Sequence, residues 1–361
     1  MSFDLILPFL RPIAHLIQDP EISEIMVNGS GLIFIEKQGQ LEEVADVHLD
    51  ERNLIVAVKN IARALGDDVS EQQPILDSRL PDGSRVAAIL PPCSVGGTTL
   101  TIRKFQTRFF TADELVRIGT MTPEVLDQVR TAINQHRNIL ISGGTSTGKT
   151  TLLNALAAFL PMANRVIVIE DTAELQLDQR NLVRLEARRA QVDLPAVTIR
   201  DLLRATLRLR PDRILVGEVR GGEAFDLLQA LNTGHSGSLS TIHANSASQA
   251  LARLASCVVQ SAVELPYQAV RYQIADAIDL VLHLGRRDGA RVVEELLSVG
   301  RYDAPRDGYD SVVLFHSAGT APDTSEIPEG DRASDISGVI PSVAGRADGG
   351  NVGVADAVTG G

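Results

Sequence analysis

The chain has no tryptophan, 4% aromatic residues, two cysteines and a net charge of −12 over 361 residues. Each shortage excludes something. Single-stranded nucleic acid is held largely by stacking bases on aromatic rings, and this composition offers no such platform. Proteins that coat nucleic acid carry a basic surface; the acidic balance argues against one and leaves room only for a local basic pore. Cys93 and Cys257 are far apart and neither has a C-x-x-C neighbour. That excludes a metal knuckle and a disulfide framework, and the expectation is two buried free thiols in a reducing compartment. No apolar run approaches the roughly 20 residues of a membrane-spanning helix. The first ten residues lack a positively charged start and a small-residue cleavage site, which argues against secretion and for the cytoplasm. Leu10, Ile13, Leu16 and Ile17 recur at helical spacing; a helix packed on the core is favoured over one lying on a membrane surface.

What is present suits a folded α/β protein: 44% hydrophobic and 22% charged residues, in a length fit for about two domains of roughly 150 residues each. Residues 1–105 read as an N-terminal α+β domain. Runs at 31–36 and 41–44 flank the hairpin turn Lys37-Gln38-Gly39-Gln40. A helix follows from Glu51 to about Ala64, with Leu54, Ile55, Val58, Ile61 and Ala62 on one side. Strands at 85–90 and 99–103 close the unit. Residues 106–120 are expected to be a linker, with a hinge between Phe105 and Thr111. Thr122-Pro123-Glu124 then starts a helix with a cap, a first-turn proline and an early acid. Through residues 121–302 strands near 139, 166, 214 and 238 alternate with helices, the rhythm of a parallel sheet covered on both faces. Residues 279–293, with Arg287-Asp288-Gly289-Ala290 at their centre, read as a late hairpin. Residues 303–361 turn to Gly, Ser, Asp, Ala and Pro and are expected to be a disordered tail, with one apolar island at Val312-Val313-Leu314-Phe315.

The most informative stretch is Gly143-Gly144-Thr145-Ser146-Thr147-Gly148-Lys149-Thr150, which fits G-x-x-x-x-G-K-[ST] at every fixed position. An apolar strand precedes it, and a helix-forming run beginning Thr151-Leu152-Leu153 follows. The glycines let consecutive N–H groups point into one hollow, and the helix start adds the positive end of its dipole. Lys149 supplies a charge for the β- and γ-phosphates, and the Thr150 hydroxyl can ligate Mg²⁺. Gly143 to Thr151 are therefore the candidate nucleotide-binding set.

A phosphate loop that hydrolyses its ligand needs carboxylates nearby, at the carboxyl ends of neighbouring parallel strands. Two strands end that way: Val166-Ile167-Val168-Ile169 runs into Glu170-Asp171-Thr172-Ala173-Glu174, and Ile214-Leu215-Val216 into Gly217-Glu218-Val219-Arg220. Two such ends together make the surface-turn reading the weaker one. A third polar stretch runs from Thr233-Gly234-His235 to Ile242-His243-Ala244-Asn245. A neutral imidazole near a γ-phosphate can donate a hydrogen bond that exists in one nucleotide state only; the competing reading of His243 is a satisfied core histidine. Arg200, Arg204 and Arg208 form a stripe at four-residue spacing, read as a solvated or salt-bridged face rather than a pore lining.

These four motifs, in this order and spacing over roughly residues 20–300, resemble those of the secretion-superfamily traffic ATPases. Within that group the chain is similar to the type IV secretion and conjugative-transfer ATPases and to the tight-adherence pilus ATPases. The resemblance implies a RecA-like P-loop motor domain beneath a smaller N-terminal domain, with ATP and Mg²⁺ in the cleft between them. It implies that Glu170 orients the attacking water, that Glu218 acts on Mg²⁺ through water, and that His235 and His243 form a histidine box with His243 as the γ-phosphate sensor. Met26-Val27-Asn28-Gly29 resembles the family's Val-Asn-Gly turn, which puts Asn28 at the nucleotide. Arg85 and Arg103 resemble the arginines that reach across the cleft, with Arg79 a further candidate; a planar guanidinium suits phosphate oxygens. The partners implied are further copies of the chain in a homohexameric ring and inner-membrane components of a secretion or pilus apparatus, with peripheral attachment to the cytoplasmic membrane and no sequence-specific nucleic acid binding. Two rival readings remain, a DNA translocase on the same core and a ring that binds nucleotide without hydrolysing it.

Overall fold

Alternating burial along short strands builds the N-terminal sheet. The computed structural model describes residues 3–317, apart from Ser30, Gln38, Asp46, residues 106–108, Arg189 and residues 191–193. α1 (Ala14–Gln18) precedes β1 (Ile22–Asn28), β2 (Leu32–Lys37) and β3 (Gln40–Glu43); α2 (Glu51–Ala64) follows, then β4 (Ile75–Arg79), β5 (Arg85–Ile89) and β6 (Thr99–Arg103). The order is β3-β2-β1-β6-β5-β4, every pair antiparallel. One face is apolar: Ile25, Val27, Ile33, Ile35, Val86, Ala88, Leu100 and Ile102 share a core with Leu54, Val58 and Ile61 of α2. Leu10, Ile13, Leu16 and Ile17 join that core, as their helical spacing predicts.

Residues directly opposite one another share a face, so the register fixes what the second face carries. At one end it presents a row of Arg79, Arg85, Arg103, Glu24 and Glu36; at the other it presents Ile75, Ile89, Thr99, Asn28 and Leu32. The turn predicted at 37–40 contains Gln38, which lies outside the described residues.

The larger sheet begins after α3 (Ala112–Arg117) and α4 (Pro123–Asn134). Its elements are β7 (Ile139–Gly143), α5 (Lys149–Ala157), β8 (Val166–Glu170), β9 (Leu182–Glu186), α6 (Ile199–Thr206), β10 (Arg213–Val219), α7 (Glu223–Asn232), β11 (Leu239–His243), α8 (Ala247–Val259), α9 (Tyr267–Ala277), β12 (Leu280–Arg287), β13 (Ala290–Ser298), β14 (Tyr302–Asp303), β15 (Gly308–Tyr309) and β16 (Val312–His316). The order is β16-β13-β12-β7-β11-β10-β8-β9, parallel from β12 to β9 and antiparallel at the β13 and β16 edge. Its central strands are apolar on both faces because helices cover both. Ile139, Ile141, Val166 and Val168 pack with α3, α4 and α5, whereas Leu140, Ile167 and Ile169 pack with α6 to α9.

Three expectations change. The span assigned to a linker contains α3, started by a Thr111–Glu114 capping box and buried through Ala112 and Leu115; residues 106–108 are outside the described residues. The span assigned to the tail is folded as far as residue 317. β16 pairs with β13, and Leu314 and Phe315 pack on the core, because the apolar island completes the sheet edge; residues 318–361 lie outside the described residues. Cys257 is buried as expected, but Cys93 is exposed.

Arg213, wholly buried at the start of β10, bolts three elements together. It donates to the Gly237 carbonyl at 2.9 Å, the Ile133 carbonyl at 3.1 Å and Asn164 Oδ1 at 3.1 Å. Arg213→Met keeps most of the bulk but strands these acceptors, so stability should fall by about 3 kcal/mol. The check is a urea titration, in which the midpoint drops while the m-value holds.

Candidate active site

Four adjacent parallel strands deliver the candidate groups to one end of the large sheet. Gly143 ends β7, His243 ends β11, Glu218 lies one residue before the end of β10, and Glu170 ends β8. The phosphate loop turns out of β7 into α5 through Gly148, whose φ of 94° is left-handed and suits a residue without Cβ. Ser146 also holds a positive φ of 58°. Lys149 is buried, and its Nζ donates to the Gly143 carbonyl at 3.0 Å and the Gly144 carbonyl at 2.7 Å. Burial lowers the Lys149 pKa; Glu218 opposes that shift and Arg220 adds to it. Thr145 and Ser146 are exposed at the loop tip, Thr147 Oγ1 donates to the Gly144 carbonyl at 3.0 Å, and Thr150 and Thr151 are half-buried in the first turn of α5.

From Lys149 a chain of polar contacts runs along the strand ends. Lys149 Nζ lies 3.4 Å from His243 Nδ1. His243 Nε2 lies 2.5 Å from Glu218 Oε1, too poorly aligned for a hydrogen bond. Glu218 Oε2 accepts from Arg220 Nε at 2.7 Å, and Arg220 Nη1 reaches Asp171 at 3.4 Å. Burial, foremost, lowers the His243 pKa against the pull of Glu218.

Glu170 is 3% exposed. Its Oε1 accepts from the Glu174 and Leu175 amides, both at 2.9 Å, while Oε2 is buried with no hydrogen-bond partner among the described residues. Burial pushes its pKa up to about 7, against those two amide bonds. Gly217 makes room for it, since a Cβ there would stand 2.9 Å from Glu170 Cγ.

The N-terminal sheet meets this end through its arginine row. Arg85 Nη2 lies 3.6 Å from Glu174 Oε1, and its Nε is buried without a hydrogen-bond partner among the described residues. Arg79 donates to the Ala173 carbonyl at 2.9 Å and pairs with Glu186. Arg103 is exposed, directly opposite Arg85.

Two predicted residues are elsewhere. Asn28 pairs with Leu32 and Thr99 at the far end of β1, four residues from Glu24 and the arginine row, about 13 Å at strand rise. His235 precedes β11, so it sits at the amino end of the parallel strands, with Nδ1 3.2 Å from the Ala230 carbonyl. The arginine stripe pairs within the chain: Arg200 and Arg204 both hold Asp226, at 2.6 Å and 2.8 Å.

His283, missed by sequence, is buried beside the loop strand with Nδ1 2.9 Å from Ser142 Oγ. Burial, reinforced by Lys149 and opposed by an Asn245 backbone bond, pushes its pKa down to about 4. A lone polar residue inside Leu280-Val281-Leu282-His283-Leu284 is the signal that marks it.

Conjugal transfer protein TrbB of Rhizobium radiobacter is 38% identical over 290 residues, 79% of this chain and 86% of that protein. Type IV secretion system protein VirB11 of Brucella suis biovar 1 is 34% identical over 310 residues, 78% of this chain and 86% of that protein. The X-ray structure of the Legionella pneumophila ATPase DotB has a TM-score of 0.57 at 20% identity, covering 83% of this chain and 82% of that one, a likeness of fold. The type II/IV secretion system protein family matches over residues 10–302, and the chain belongs to that family.

Proposed function

We propose that the chain is a Mg²⁺-dependent ATP hydrolase, working as a homohexameric ring at the cytoplasmic face of the membrane to power type IV secretion or conjugative transfer. The observation that carries the reading is Glu170: a buried carboxylate with one oxygen anchored and one free, on a strand separated from the phosphate-loop strand by two others. The names of the relatives, conjugal transfer and type IV secretion proteins, support the machine served; the ring follows from the family resemblance. No helix among the described residues is long and apolar enough to cross a membrane, so attachment to the apparatus would be peripheral.

Among the described residues no three His, Cys, Asp or Glu side chains converge as a metal cage. That fits Mg²⁺, which is held mainly by phosphates, water and one or two protein oxygens. Thr150 and, through water, Glu218 would hold it; when bound it neutralises charge on the β- and γ-oxygens. Lys149 would trade its carbonyl contacts for phosphate oxygens, and Arg85 and Arg103 would neutralise developing charge from the N-terminal sheet. Ionised Glu170 would take a hydrogen bond from the attacking water on Oε2, held in place by the two amides on Oε1. His243, neutral, would donate to a γ-phosphate while present and fall back on Glu218 once it is gone.

Lys149→Ala and Glu218→Ala should each lower phosphate release by roughly 10²–10³-fold, measured against the unaltered chain; equal rates in all three would defeat the hydrolase reading. The kcat/KM for ATP should fall about tenfold per pH unit below pH 7 as Glu170 protonates, visible in a pH–rate profile. Glu170 also leaves a mark on stability. Its folded pKa, about 7, lies above the unfolded value, so ionising it weakens the fold as pH rises from about 4.5 to 7. Glu170→Gln should therefore gain about 3 kcal/mol over wild type above pH 7 and nothing below about pH 4.5, read from urea melts at both pH values.

A further inference from the structure

The β12–β13 hairpin leans over the phosphate loop. Its turn, Asp288-Gly289, holds positive φ at both residues, 50° and 81°, and Arg286 on β12 stands directly opposite Arg291 on β13. A Cβ on Gly148 would lie 3.4 Å from Arg291 Cδ, so the stem of this arginine rests on the bare backbone of the loop. Burial, foremost, and then Arg286 lower the Arg291 pKa; Glu36 opposes and Arg103 adds. Glu36 and Arg103 belong to β2 and β6, so Arg291 sits where the N-terminal sheet comes down over the loop. Among the described residues its guanidinium has neither a hydrogen bond nor an ion pair, although Glu36 is near enough to attract it.

Two arginine pairs therefore come from the two sides of this junction: Arg85–Arg103 on the N-terminal sheet and Arg286–Arg291 on the hairpin, each directly opposite across its strands, with Arg103 acting on Arg291. Like charges so placed repel. An anion between them turns that repulsion into attraction, and a planar guanidinium binds phosphate oxygens in pairs.

We propose that Arg291 is a phosphate-binding residue supplied by the motor's own hairpin, closing over Gly148 onto the inner phosphates of the nucleotide. The inference rests on the nucleotide reading above. Gly148 belongs to the backbone that cradles the inner phosphates rather than the terminal one, so Arg291 acts on ADP and ATP alike. It thereby differs from a γ-phosphate sensor, whose contact disappears on hydrolysis.

The experiment is calorimetric titration of the full chain with Mg-ADP and with a non-hydrolysable Mg-ATP analogue. Arg291→Gln should weaken both about tenfold to a hundredfold, the range of a charge-assisted hydrogen bond, with the melting temperature of the ligand-free protein unchanged. Glu36→Gln separates this from a role in docking the two sheets: it should leave ADP affinity unchanged or raise it. Arg291→Gln binding Mg-ADP within twofold of wild type overturns the proposal, and so does an equal loss in Glu36→Gln. Wild-type binding that vanishes in Lys149→Ala checks the nucleotide reading separately; no wild-type binding at all overturns both.

Discussion

A buried ammonium with no carboxylate of its own governs the carboxyl end of the large sheet. Lys149 Nζ is held by two loop carbonyls and touches His243. Glu218, the nearest acid, is already engaged by Arg220. Carbonyl dipoles compensate an ammonium only in part, so the loop is poised for an anion that can do better. The left-handed Gly148, the exposed amides of the loop tip and the start of α5 all favour the same ligand. Burial, foremost, lowers the pKa of both His243 and His283, and the charge of Lys149 adds to both shifts.

The cleft above the loop is electrically matched along its width. The N-terminal row runs from Arg79 and Arg85 through Arg103 to Glu24 and Glu36. Below it stand Glu174 and Glu186 at the arginine end and Arg291 at the glutamate end. Ion pairs thus form at the arginine end, Glu36 attracts Arg291 without pairing at the other, and the middle, where Arg103 repels Arg291, is left with positive charge in excess. A nucleotide's phosphates are the complement to that middle. In their absence the outer pairs alone hold the sheets in register, and exposed or half-exposed pairs of that kind are individually weak. Loss of the anion would therefore loosen the cleft without unfolding either sheet, the behaviour a hydrolysis-driven clamp requires.

Local signals were legible and long-range ones were not. The α2 boundaries, the start of α4, the phosphate loop and the acids at two strand ends could be read because capping, periodicity and a fixed motif act within a few residues. The Asp288-Gly289 turn was readable for the same reason. The places of Asn28 and His235 could not be read because a motif's order in the chain does not say which end of a strand it occupies; one sits about 13 Å along β1 from the arginine row, at strand rise, the other at the amino end of β11. Arg291 and His283 gained their surroundings only when strands distant in sequence came to lie side by side. β16 was lost to its context: four apolar residues in a Gly- and Asp-rich stretch look like an island until an open sheet edge beside β13 is there to take them.

One backbone amide joins domain contact to chemistry. Glu174 offers its carboxylate to Arg85 of the N-terminal sheet and its N–H to Oε1 of Glu170. Arg79 grips the preceding carbonyl, that of Ala173. On the proposed function, Arg85 would turn from Glu174 to a phosphate, and the segment that orients Glu170 would lose one restraint and keep another. Arg79 is then the fixed post and Arg85 the moving one. On the proposed function, the free oxygen of Glu170 would be positioned by the same residues that record whether the N-terminal sheet is closed, and water activation would be tied to closure through covalent neighbours rather than through a long relay. That economy also explains why Glu170 tolerates burial at a cost in stability: a solvated carboxylate would ionise freely but would be indifferent to the cleft.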